Sequence, residues 1–395
     1  MKDALREEIA ELQGQAVRLR RDFHRHPELA FEEKRTARVI SDYLHGLGLD
    51  VKEGVGRTGV VGVLSGNGPG RTILLRADMD ALPVQEKNEV DYRSEKPGVM
   101  HACGHDGHMA ILLVAARVLK EHRGDFPGNV KFVFQAGEEG YAGARLQIEE
   151  GALEDPEVHA ALALHLRSDL PCGTVGMRVG PLMACMDSFR IVARGKGAHA
   201  ALPEGGVDAI LMSAHAIQSL QSLVSREVSP LTPLVVHVGR ISGGEAFNIV
   251  AETVEMKGTV RTLDTALRKE VPDRMRRILQ GIGSSFRGEL ELEYDFGYPV
   301  VENAPAVTEL VRGAAVAVLG RDKVLEVPAG MMSDDMAFFL QKVPGCYFFV
   351  GAGNPGKGAD QPHHNSRFNF DEAALTIGAE IMVRSTIDYL RGAVA

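Results

Sequence analysis

Apolar and polar positions change their period along the chain, and each change predicts a different kind of element. Over residues 3–23, apolar side chains recur at Leu5, Ile9, Leu12, Val17 and Leu19 among charged ones, the spacing of an amphipathic surface helix that ends before Pro27. Over residues 51–163, short β-rich runs (VVGVL, TILLRA, VKFVFQ, AALAL) alternate with helical text such as 108–122, the pattern of an α/β domain. Ligands in such sheets sit beyond the carboxyl ends of the strands. From residue 186 the texture changes to strand (188–193), helix (207–224), strand (234–241), strand (250–260), helix (265–282) and strand (289–296). That βαββαβ order predicts a split-βαβ, ferredoxin-like unit. It is a complete domain in itself, so the flanking segments should fold together around it, giving an outer domain over 1–185 and 298–395 with an inserted domain over 186–297.

Composition narrows the function classes. A length of 395 residues predicts two to three domains, and 45% hydrophobic with 25% charged residues is globular. A net charge of -9 argues against a nucleic-acid partner, because a phosphate backbone must be met by surplus Lys and Arg. Four cysteines cannot form a disulfide framework, and MKDALREEIAELQGQAVRLRR does not read as a secretory leader, so a reducing cytoplasm is the expected compartment. The longest apolar stretch, 109–119, is interrupted by Arg117 and falls short of the roughly 20 residues a membrane span needs. No membrane anchor is expected.

Candidate chemistry concentrates in GVMHACGHDGHMA. There His101, Cys103, His105 and His108 fall within eight positions, where an even spread of the 14 histidines would put less than one. Cys103 and His105 lie two apart, so on an extended or turning segment both can converge on one point, and thiolate plus imidazole suits zinc or a similar first-row ion. A polar loop with a buried structural cysteine is the bland alternative. No C-x-x-C or H-E-x-x-H spacing occurs, so finger and zincin templates fail. In RTILLRADMDALP, Asp78 and Asp80 follow a β run at period two, which turns both carboxylates to one side. Asp80 could orient a ligating imidazole, and a turn or capping role is equally open. In VKFVFQAGEEGYAGA, Glu138 and Glu139 close an apolar strand. Neighbours on an extended chain face apart, so one could hold metal while the other moves protons, or the pair could be the solvated start of a helix. His165 ends the run AALALHL as a ligand or as a hydrogen-bonded core histidine, and His363 and His364 lie in a loop before a helix beginning near Asp371. One thiol, several imidazoles and several carboxylates at strand ends make a dinuclear site the economical explanation.

Read in order, HRHPELAFEE, RADMDALP, MHACGHDGHMA, QAGEEGYAGA, ALHL, KGAHAALP, FNIVAE, GTVRTLD, SDDMAFF and HHNSRFNFDE resemble the motif set of the amidohydrolase branch of the aminoacylase and dimetal exopeptidase superfamily. That branch includes N-acyl-amino-acid amidohydrolases, hippurate hydrolases and hydrolases of indole-acetyl-amino-acid conjugates. The resemblance runs from about His24 to Glu372. It implies an α/β fold with a dimetal exopeptidase-type catalytic domain, in which the inserted unit is a lid and dimerisation domain. It further implies that Cys103, His105, Glu139, His165 and His364 hold two divalent metal ions, His364 rather than His363 because it heads an H-x-x-x-F pattern. Glu138 falls on the general base, and His199 on a histidine that crosses a dimer interface to the partner's site. Asn248 and Arg261 fall on positions associated with substrate. Zinc or manganese is expected, with cobalt or nickel admissible. SDDMAFF departs from the S-E-D-F of many relatives, with Asp for Glu and Met for Phe. Read without the family, His199 could be a polar residue at a helix start, Asn248 a turn residue, and Arg261 the partner of Glu255 or Asp264.

The expected reaction is metal-assisted hydrolysis of an N-acyl amino acid, with an acetyl, benzoyl or similar acyl group, releasing a carboxylic acid and a free amino acid. A dipeptidase or carboxypeptidase on the same scaffold is the alternative. A binding protein that had kept the fold would have lost a ligand or Glu138, and all are present. Expected partners are a small N-acyl amino acid or short peptide, and further copies of the chain in a dimer or tetramer through the inserted domain.

Overall fold

The computed structural model describes residues 2–393. Two helices, α1 (Lys2–Glu11) and α2 (Gln13–Arg25), form where the periodicity predicts one. The break falls at Leu12, whose N–H reaches back only to Ile9 O at 3.1 Å, a three-residue turn in place of the α-helical bond. After α3 (Lys34–Gly46) come β1 (Asp50–Val55), β2 (Gly59–Ser65) and β3 (Thr72–Asp78), the last buried along its whole length. The next helix, α4 (His105–Glu121), begins three residues earlier than its apolar pattern predicts, because Gly104 takes a φ of +95° and turns the chain into it. β4 (Asn129–Gln135) is followed by α5 (Glu138–Tyr141), a kinked single turn, then α6 (Gly143–Glu149), β5 (Ala160–Pro171), β6 (Val175–Met177) and β7 (Gly180–Met183).

A second set of elements follows: β8 (Met186–Arg194), β9 (Ala198–His199), α7 (Ala209–Arg226), β10 (Leu234–Gly243), β11 (Ile249–Val250), β12 (Thr253–Thr262), α8 (Thr265–Phe286) and β13 (Glu289–Tyr298). Four of the strands form a sheet in the order β10-β12-β8-β13 with every neighbour antiparallel, while β9 and β11 make a separate two-stranded ribbon. Both helices start on an aspartate cap, Asp208 accepting from Ile210 and Leu211 and Asp264 from Ala266 and Leu267. Ile191, Met212, Met256 and Met275 lie in the core between helices and sheet.

The chain returns through β14 (Val301–Asn303), α9 (Pro305–Leu319), β15 (Val324–Glu326), α10 (Ala337–Leu340), β16 (Gly345–Gly353) and α11 (Ala374–Leu390). Together with the first set these build a mixed eight-stranded sheet in the order β1-β2-β4-β3-β5-β16-β6-β15. β4, β3, β5 and β16 run parallel at its centre, which is why they read as continuous apolar runs. The molecule divides into two compact units, one made of the chain up to Leu182, Glu302–Pro328 and the chain from Asp335 on, the other of Met183–Val301 and Ala329–Asp334. The second is wider than the 186–297 expected and takes in a strap from the C-terminal part. Ala184 N donates to Gly330 O and Met332 O, and Arg261 Nη1 to Met331 O, and these bonds draw the strap in. No helix among the described residues is long and apolar enough to cross a membrane.

Candidate active site

Three parallel strands of the first unit deliver the candidate residues: β3 ends on Asp78, β4 runs into Glu138 and Glu139 just past its carboxyl end, and β5 carries His165 at its middle. Across this edge lies the first turn of α4 with His105 and His108, entered through Cys103 and left-handed Gly104. The segment is a tight turn into a helix, which tertiary packing and not the extended alternative selects.

Hydrogen bonds sort the histidines. His105 Nδ1 lies 2.9 Å from Asp80 O, His165 Nδ1 2.7 Å from Leu166 O, and His363 Nδ1 3.2 Å from Cys103 O. A carbonyl only accepts, so each Nδ1 donates its proton, and in the neutral ring that leaves the lone pair on Nε2, the arrangement usual in ligating histidines. The Nε2 atoms of His105 and His363 are buried without a hydrogen-bond partner, and that of His165 lies 3.5 Å from Cys103 Sγ. His108 differs. Its Nε2 accepts from Leu166 N at 2.9 Å and its Nδ1 donates to Asp78 Oδ1 at 2.6 Å, so both ring nitrogens are engaged in holding β5 and β3 to α4. His364 sits at a φ of +67° with its side chain half exposed and its Nε2 3.2 Å from Glu139 Oε1. Its N–H donates to Ala102 O at 2.7 Å, which helps fix that strained conformation.

Overlapping triads of ligand atoms lie within 4.8 Å of one another: Cys103, His165 and His363; Cys103, Glu139 and His364; and His105, Glu138 and Glu139. Cys103 and Glu139 each belong to two of them. His105, His108 and His165 form another, from which the hydrogen bonds of His108 withdraw it. Burial, then Glu139, Glu138 and Asp78, push the Cys103 thiol well above its ordinary value. Burial pulls the His105 imidazole down, yet Asp78, Asp80 and Glu139 raise it to about 10. Burial, with His108 and His363 alongside, holds His165 well below its usual range, and burial with Arg167 pulls His363 to about 3. Soft and borderline donors crowded with carboxylates, Nε2 atoms turned inward and an excess of negative charge that captures protons are the features a divalent cation fits.

Asp80 acts on His105 mainly through its carbonyl, its Oδ1 lying 3.4 Å from His105 Nδ1, while its Oδ2 accepts the Glu139 N–H at 2.9 Å. Glu138 is buried, which removes the solvated helix start as a reading, and the segment that carries it is a kinked turn where an extended one is predicted.

In the second unit, His199 and Asn248 come together. His199 pairs with Ile249 on the β9–β11 ribbon, and Ala200 N donates to Asn248 O. His199 Nδ1 accepts the Ala201 N–H at 3.0 Å, which leaves its proton on Nε2 as a donor. Neither residue starts a helix. Arg261 is held by Met331 O and Ser333 Oγ and pairs with neither Glu255, which holds Arg190 and Lys257, nor Asp264, which caps α8.

Sequence reasoning missed the supports behind the site. Arg76 donates to Asp78 and Asp335, and Gln135 and the Ala144 N–H also donate to Asp335. Although burial opposes it, Arg76, His105 and His108 hold the Asp78 carboxyl well below the usual range. Behind His105, Asp106 receives Arg20 Nε at 2.9 Å and lies 2.8 Å from His24 Nδ1, with the Arg20 guanidinium packed against the Tyr92 and Phe370 rings. His101 is buried with neither ring nitrogen hydrogen-bonded, and burial pulls it to about 3. His24, Arg76, Asp106, Gln135 and Asp335 all stand inside the quoted motifs without a role read for them, and Arg76 is also a charged residue inside the otherwise apolar run TILLRAD.

The profile of Peptidase family M20/M25/M40 matches residues 74–387. The chain is 38% identical over 381 residues to Thermostable carboxypeptidase 2 of Saccharolobus solfataricus, covering 95% of this chain and 96% of that one. It is 38% identical over 367 residues to the N-acetyl-L-cysteine deacetylase of Bacillus subtilis, covering 93% and 86%. Among solved structures, a dinuclear metal binding peptidase of the M20 family from Bacillus subtilis superposes with a TM-score of 0.85 at 32% identity, covering 97% of this chain and 99% of that one. The chain therefore belongs to the M20/M25/M40 peptidase family, within which it is a metal-dependent amidohydrolase.

Proposed function

We propose that the chain hydrolyses the amide bond of N-acyl amino acids with two divalent ions held by Cys103, His105, Glu139, His165 and His364, zinc or manganese being the metals its donors suit best. The observation that carries this reading is the set of overlapping triads, each with its ligand atoms within 4.8 Å, that share Cys103 and Glu139 and bring in His105, His165 and His364, with the Nε2 atoms of His105 and His165 turned toward them. Bound there, the ions would supply Lewis acidity toward a carbonyl oxygen and toward water. Glu138, buried within 4.8 Å of ligand atoms of His105 and Glu139, takes a proton from the attacking water and returns it to the departing amine nitrogen. Nε2–H of His199 is the donor for the developing oxyanion, and Asn248 and Arg261 contact the substrate, the guanidinium meeting its free carboxylate.

We propose further that the second unit is a lid and dimerisation domain and that the partner subunit supplies His199. Ile210, Leu211, Val235, Ile241 and Ile249 stand exposed on it, and β10 is an edge strand, a combination that fits a second copy of the chain. Four free cysteines fit a reducing, cytoplasmic setting.

Glu138→Gln should keep both ions and lose turnover by about a thousandfold or more on N-acetyl amino acids. Normal turnover at matched metal content would reject the base. Faster release of amine from a free dipeptide than from the matching N-acetyl amino acid would favour the carboxypeptidase or dipeptidase reading. Mixing His199→Ala with Glu138→Gln should restore part of the activity through hybrid dimers, and no restoration would place His199 in its own chain's site.

A further inference from the structure

We propose that Glu33 is the positioning residue for Glu138, its carboxyl fixing the left-handed turn that presents the base. The inference rests on the reading of Glu138 as the base.

Glu33 closes the motif HRHPELAFEE, which no step of the reaction uses, and its side chain is completely buried. Oε1 accepts the Gly137 N–H at 3.0 Å and Oε2 accepts the Thr58 hydroxyl at 2.5 Å. Gly137 has a φ of +63° and leads directly into Glu138. The same motif supplies Phe31, whose ring would come within 2.7 Å of a Cβ at Gly137 and packs edge-on against Tyr141 at the far end of the turn. Glu33 and Phe31 thus grip one residue from two sides.

Two other buried carboxylates hold the same loop by its main chain, Asp80 at the Glu139 N–H and Asp335 at the Ala144 N–H. Asp80 also faces His105, and Asp335 also receives Arg76 and Gln135. Among the described residues the Glu33 carboxyl meets the turn at Gly137, the Thr58 hydroxyl and the main chain of Phe31 and Glu33, with Asp80 a like charge nearby. Burial pushes this carboxyl up to about 7 against the opposing hydrogen bonds of Thr58 and the main chain, so burying it carries a desolvation cost.

Metal-loaded full-length Glu33→Ala, Glu33→Gln and Thr58→Val proteins are compared for kcat and KM on an N-acetyl amino acid and for ions per chain. Glu33→Ala should lower kcat about 10- to 100-fold, the range for a misplaced catalytic group, with KM within about twofold and metal content unchanged. Glu33→Gln keeps an acceptor for Gly137 and a partner for Thr58 and should stay within about threefold of the parent kcat. Thr58→Val, which leaves the Gly137 contact intact and is the milder variant should Glu33→Ala not fold, should lose about three- to tenfold in kcat at constant KM. An unchanged kcat in Glu33→Ala, or losses in Glu33→Gln as large as in Glu33→Ala with metal lost as well, would overturn the positioning role. Turnover surviving in Glu138→Gln would instead overturn the base, whatever Glu33 does.

Discussion

At the residue scale the second nitrogen of each ring separates histidines that the motif text cannot. His101, His105 and His108 stand within one short motif, yet one is buried without partners, one turns Nε2 inward, and one is spent on Asp78 and Leu166. Spacing brought Cys103 and His105 together, and the adjacent carboxylates at 138 and 139 were visible after an apolar run. The partners that decide each role lie 25 to 58 positions away in sequence, so no local pattern carries them. His108→Ala should therefore keep two ions per chain while exposing unsatisfied groups at Asp78 and Leu166, at a cost of about 1–3 kcal/mol in denaturant unfolding. His105→Ala should instead lose metal. Loss of metal in His108→Ala would return that histidine to the list of ligands.

At the element scale, the turns that aim the site are the part the periodicity misses. The parallel strands β3, β4 and β5 are legible as apolar runs, but the chain beyond β4 bends through positive φ at Gly137, Gly140 and Ala142 where an extended continuation is predicted. Gly137→Ala combines a left-handed alanine with a clash against Phe31, so it should cost at least about 1–2 kcal/mol of stability and lower kcat. Equal stability and kcat would contradict that. The split of the first helix is also illegible, since it rests on a single three-residue bond at Leu12. Its first half, α1, is tied to the end of α4 by His122, which bridges Glu8 at 2.9 Å and Asp125 at 2.8 Å. Burial works against the charged ring, but Asp125 and Glu8 raise its pKa above the ordinary 6.5. A raised folded-state pKa stabilises fully below the unfolded value and is lost as pH rises through the folded one. The melting-temperature advantage over His122→Asn should therefore be largest near pH 6 and shrink above it, and an advantage that grows with pH would contradict the bridge.

At the scale of the whole molecule, the strand and helix order from β8 to β13 is legible because its periodicity is local. The strap Ala329–Asp334 is not, since long-range main-chain bonds recruit it. All five candidate ligands belong to the first unit, which separates metal binding from the stability of the second. Asp187, fully buried in the second unit, receives Arg268 and Tyr294. Asp187→Ala leaves that guanidinium unpaired and should destabilise the protein by about 3–5 kcal/mol without changing ions per chain. On the proposed reading, hydrolysis belongs to a dinuclear site in the first unit. That reading is tested most directly by stripping the protein with a chelator, adding back zinc, manganese, cobalt or nickel singly, and recording ions per chain together with amine release from N-acetyl and N-benzoyl amino acids. The expected result is silence after chelation and turnover returning as about two ions bind per chain. Turnover that survives full chelation, or two bound ions with no amide in the panel cleaved, would contradict it.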